Sequence, residues 1–120
     1  MKVISPHNHG YLDYLTSIVF LLAPPLLKLS GLPAALSYGL AAVHCGLTLL
    51  TAFPLGLFRA VPLKLHGMIE GLVALTLGMV PWIFQRHFAR PARIFYTAMG
   101  GGIFLVWLCS DYSPVDGTSS

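Results

Sequence analysis

Polar positions are sparse along this chain and fall in clumps, leaving four long stretches in which apolar residues follow one another almost unbroken. They run from Tyr11 to Leu29, Ala34 to Phe53, His66 to Phe84 and Ile94 to Ser110. Each holds about 17 to 20 residues, enough at 1.5 Å per residue to cross a hydrocarbon core of roughly 30 Å. Lipid offers no hydrogen bonds to a backbone, so a spanning segment of this kind has to be helical. The breaks carry helix-punctuating residues: Ser30-Gly31-Leu32-Pro33, then Pro54-Leu55-Gly56, then Arg86 to Pro91. The pattern predicts four membrane helices joined by short loops. Pro24, Pro25 and Pro81 remove backbone donors, so the first and third helices are expected to bend or finish there, leaving Leu26 to Leu29 and Trp82 to Phe84 as interfacial turns.

The sparse polar residues repeat. His9-Gly10-Tyr11-Leu12-Asp13 reappears fifty-seven positions on as His66-Gly67-Met68-Ile69-Glu70, and the same shift superposes Pro24 on Pro81. One further residue of offset aligns Pro33 with Pro91 and Tyr38 with Tyr96, and one more aligns Thr51 with Ser110. Each half is therefore a helical hairpin: repeat 1 over about residues 9–54, a linker over about 55–65, repeat 2 over about 66–112, and a polar tail, 113–120, expected to be disordered. Two helices per repeat bring the halves into the membrane in the same direction, as parallel repeats about a pseudo-twofold axis along the membrane normal. The expected fold is an all-α integral membrane domain, two tandem parallel-repeat hairpins packed as a four-helix bundle.

The segments LDYLTSIVFLLAPPLLKLSG and IEGLVALTLGMVPWIFQRH resemble the two copies of the SPW repeat of small bacterial integral membrane proteins. The joining stretch TAFPLGLFRAVPLKLHG is similar to the linker such proteins carry. The resemblance covers residues 9 to 110, and the tripeptide stands here as Ala23-Pro24-Pro25 and Val80-Pro81-Trp82, with no serine in either copy. It implies a two-repeat, four-helix, multi-pass protein of the bacterial inner membrane, and brings no activity or catalytic residues with it.

Composition sharpens the same picture. Of the 120 residues, 56% are hydrophobic and 9% charged, with a mean hydropathy of +0.76. Soluble domains carry about a quarter charged residues, so most of this surface calls for lipid rather than water. The N-terminal segment lacks a short apolar region and a small-residue cleavage site, and is not expected to be a signal peptide. The net charge of +3 is dispersed, with no basic run to suggest nucleic acid. Cys45 and Cys109 sit inside apolar runs and match no metal spacing. Lys2, Arg59 and Lys64 share one membrane face with all four acids, whereas Lys28, Arg86, Arg90 and Arg93 share the other with none. The positive-inside rule turns that second face to the cytoplasm and leaves the termini outside.

Candidate chemistry lies in the duplicated pairs. Positions i and i+4 share a helix face, so His9 with Asp13 and His66 with Glu70 form two inward ridges, with Thr51 and Ser110 at comparable depth. These six residues are expected to gather in one cluster. Two imidazoles and two carboxylates suit Zn, Mn or Fe. The plainer expectation is that His9 and His66 precede their helices at the water interface, with the acids in the first turn where the helix dipole favours them. His44 lies about 14 Å from the Phe53 end of its helix at 1.5 Å per residue, and has no repeat mate because Gly100-Gly101-Gly102 occupies the matching position. It is either a haem ligand or a neutral histidine bonded to Thr48 or Tyr96, the latter being the expectation. No nucleophile–base arrangement or phosphate loop supports an enzyme. The expected role is a membrane scaffold or accessory component, with the bilayer and a second copy or another membrane protein as partners. Metal or haem binding is the alternative, and a small channel or carrier the next.

Overall fold

The computed structural model describes residues 3–51 and 61–110. Residues 1–2, 52–60 and 111–120, which take in the first part of the linker and the tail expected to be disordered, lie outside the described residues. Among the described residues four helices, α1 (Pro6–Leu27), α2 (Gly31–Leu50), α3 (Leu63–Ile83) and α4 (Arg90–Cys109), follow one another, with a single 3₁₀ turn at Gln85–His87 before the last. All four are long and apolar enough to cross a membrane. The protein is an all-helical, four-span bundle of two hairpins, α1 with α2 and α3 with α4.

The helices begin earlier than hydropathy alone suggests, because caps and prolines set their starts. Ser5 stands at the N-cap of α1, its hydroxyl accepting the Asn8 N–H, with Pro6 in the first helical position. Proline is preorganised for that position and forfeits only a donor the helix would leave unpaired. Pro62 caps α3 and Pro91 stands at the second position of α4. His9 and His66 are thus the fourth residues of their helices rather than residues preceding them.

The inner prolines are absorbed, not terminal. Pro24 cannot donate to the Phe20 carbonyl four residues back; the Ser37 hydroxyl of α2 donates to that oxygen instead, at 2.6 Å. The helix therefore runs on to Leu27, where Lys28 takes a left-handed conformation (φ 55°) and the Leu29 N–H closes on the Pro24 carbonyl. α3 likewise passes through Pro81 and ends at Ile83.

Sidedness is inverted relative to a water-soluble bundle. Leu15, Ile18, Leu21, Leu22, Leu72, Leu75 and Leu105 are exposed, whereas Asp13, Ser17, Ser37, His44, Thr48 and Glu70 are buried. That arrangement costs little in lipid, where apolar chains face the solvent and polar groups must turn inward. Away from the polar end, the core is Phe20, Phe88 and Tyr96 with Ala41, Ala74, Ala92 and Leu77, closed by the Tyr96 hydroxyl donating to the Pro33 carbonyl. Gly100 is where α3 and α4 meet: a Cβ added there would lie 2.8 Å from the Gly78 nitrogen and 2.9 Å from the Ala74 oxygen, whereas Gly101 and Gly102 face open space.

Candidate metal centre

Near one end of the bundle the helix ends are tied together in two similar ways. The Val61 N–H donates to the Leu50 carbonyl, joining the segment before α3 to the end of α2; the Ile4 N–H donates to the Cys109 carbonyl, joining the segment before α1 to the end of α4. Each tie holds a hydroxyl, Thr51 or Ser110, beside the first turn of a following or preceding helix. His9 and His66, one turn into α1 and α3, point their rings into the space between.

There the structure brings His9, Asp13, His66 and Glu70 together, with one ligand atom from each inside a 4.8 Å cluster. The two nitrogens and two oxygens alternate around a ring. His9 Nε2 lies 3.0 Å from Glu70 Oε2 and 3.1 Å from Asp13 Oδ2; His66 Nε2 lies 2.9 and 2.8 Å from the same two atoms. All four side chains are buried. Ligands held at 2.0–2.2 Å from a metal in a regular tetrahedron stand about 3.3–3.6 Å apart, so the four N···O edges would each lengthen by about 0.2–0.8 Å around a tetrahedral ion.

The outer nitrogens reveal how the rings are oriented. Thr51 Oγ1 lies 2.6 Å from His66 Nδ1 and donates its proton to the Leu47 carbonyl. Ser110 Oγ lies 2.6 Å from His9 Nδ1 and donates to the Val106 carbonyl. With each hydroxyl proton committed to its own helix, the oxygen accepts from Nδ1–H, an assignment that follows from the donor count. A neutral ring so oriented aims the Nε2 lone pair at the cluster centre, the arrangement second-sphere acceptors impose on metal-bound histidines. Without a cation those lone pairs would face carboxylate oxygens. Asp13 Oδ2 lies 2.8 Å from His66 Nε2 and 3.1 Å from His9 Nε2, so a proton or a cation has to stand between these atoms. If both were ionised the two carboxylates would bring a charge of −2, which one divalent ion or two protons on the imidazoles would neutralise; isolated buried charges of this kind are costly.

His44 belongs to the same constellation, which the sequence did not suggest. Its Nε2 stands 3.4 Å from Asp13 Oδ1. Thr48 donates to the His44 backbone carbonyl rather than to its ring, and Tyr96 is engaged with Pro33, so neither is the expected partner. Helix ends explain the change: α2 stops at Leu50 and α1 starts at Pro6, placing His44 about 9 Å and Asp13 about 10 Å along their helices from this end at 1.5 Å per residue. The two residues are level. Cys45 and Cys109 are free thiols outside the cluster.

Fold and site together define a class: a four-span membrane bundle with a buried centre of three histidines and two carboxylates. Comparison with protein-family models, curated protein sequences and solved structures returns no match.

Proposed function

We propose that this is a metal-binding membrane protein holding one divalent transition ion, of the Zn, Mn or Fe type, between its two hairpins. His9, Asp13, His66 and Glu70 are the ligands; Thr51 and Ser110 orient the imidazoles, and His44 stands beside Asp13. The observation that carries this reading is the convergence of four buried potential ligand atoms, one each from His9, Asp13, His66 and Glu70, within 4.8 Å of one another. Two histidines with two oxygen donors suit these metals by ligand type. The reading adds a binding role to the scaffold expected from composition. In the same proposal, the duplicated SPW-like hairpin supplies one imidazole and one acid per copy, and the protein resides in a bacterial-type inner membrane.

Elemental mass spectrometry of the detergent-purified protein tests it, beside a His9→Ala/His66→Ala double variant and after growth with added zinc, manganese or iron. A stoichiometric metal that disappears in the variant is the expected outcome. A folded, metal-free wild type under all three supplements, or equal metal in both proteins, would overturn it.

A further inference from the structure

The two hairpins are each closely packed, but α1 and α4 touch one another only lightly. Between them lies a cavity of about 220 Å³. Its walls are apolar, formed by Leu12, Val19, Met99, Ile103 and Val106, and it is also lined by Asp13 and Glu70, the two acids of the candidate metal centre. Thr16, its hydroxyl donating to the Leu12 carbonyl, also lines the cavity, and Leu15, Ala98 and Gly102 complete the lining and are exposed. In a membrane-spanning bundle such residues face acyl chains, so the cavity opens sideways to the bilayer. Gly102 keeps it open, because a Cβ there would meet nothing within 4 Å. A larger groove of about 440 Å³ lined by Leu36, Leu72 and Val80 has no charged residue in its lining, and a lipid chain fills such a groove without discrimination.

The cavity specifies its occupant by chemistry. An apolar wall takes a hydrocarbon body. The carboxylate oxygens at its other end are acceptors and favour a head that donates a hydrogen bond over one that can only accept. A cavity of about 150 Å³ accommodates a benzene ring, so this one holds a ring bearing one or two polar substituents, with any tail left in the lipid. We propose that the cavity is the substrate-binding pocket of the metal centre, and that it takes a lipid-soluble phenol or quinol. The molecule enters laterally between α1 and α4 with its hydroxyl towards Asp13 and Glu70. The pocket's role beside a metal rests on the function proposed above; its binding of a phenol does not.

Equilibrium binding to the full chain in nanodiscs tests this with three probes of similar length: 4-heptylphenol, heptylbenzene and octanoate. The phenol is expected to bind at least tenfold more tightly than either of the others. Gly102→Leu and Ala98→Phe, one turn apart at the mouth, should each weaken phenol binding at least tenfold, while Gly101→Leu, which faces open space outside the pocket, should not. Equal binding of phenol and heptylbenzene, tighter binding of octanoate, or unchanged binding in both mouth variants would overturn the proposal. Metal content measured on the same samples separates the two readings. A metal-free protein that still selects the phenol and loses it with Gly102→Leu retains the pocket and removes the metal. A metal-loaded protein that does not select the phenol retains the metal and removes the pocket.

Discussion

Replacing Thr51 by valine isolates the outer sphere of the proposed centre without touching a proposed ligand. The substitution exchanges a hydroxyl for a methyl of similar shape, at a residue of 0% exposure in an extended backbone conformation that suits valine. It removes the oxygen 2.6 Å from His66 Nδ1, and burial leaves no room for water to replace it. An unsatisfied buried donor costs about 1–3 kcal/mol, which at about 1.4 kcal/mol per decade corresponds to roughly 5- to 140-fold in affinity. That range overlaps the 10–100-fold typical when a second-sphere partner of a metal-bound histidine is lost. Competitive zinc titration against a chromogenic chelator in micelles reads the effect directly, with thermal melting of the metal-free protein as the control for folding. Thr51→Ser, which keeps the hydroxyl, should bind within a few-fold of wild type. A valine variant that binds zinc as tightly as wild type would refute the assignment of Nδ1–H to the hydroxyl, and with it the inward aim of the lone pair.

Two further outcomes follow from the same geometry. Gly100→Ala should destabilise the bundle by about 1–3 kcal/mol through overpacking, since its methyl would strike the Gly78 and Ala74 backbone, while Gly102→Ala, in open space, should be neutral or stabilising by up to about 1 kcal/mol; SDS-titration unfolding in mixed micelles compares them, and equal stabilities would refute the contact. Protons compete with the metal for both Nε2 lone pairs, so zinc affinity should rise with pH and binding should release protons; a titration repeated in buffers of different ionisation enthalpy counts them, and proton-independent binding would place the ion elsewhere.

Much of the candidate site was legible because duplication marks it twice. A single His-x-x-x-acid ridge in an apolar chain says little; the same ridge at a fifty-seven-residue offset, at the start of two parallel spans, puts four candidate ligands at one depth. The helix starts were harder to read, since hydropathy locates the apolar run whereas Ser5, Pro6 and Pro62 locate the first turn. That shift of a few residues moved both histidines from the interface onto the inner stripe. It also hid His44, whose distance from Asp13 depends on where two different helices end.

Composition and periodicity alone determined the solvent and the topology: with so few charges, and a backbone that lipid cannot satisfy, only spanning helices remain. The tertiary structure decided which groups meet. His9 pairs with Ser110 of the other hairpin and His66 with Thr51, while Glu70 Oε2 lies within 3.0 Å of both Nε2 atoms. The gap beside α4 exists because two well-packed hairpins lean on each other only lightly. Local preference acts over a few residues and sets each helix, but a contact between positions 9 and 110 depends on how four rods pack, and no local signal carries that information.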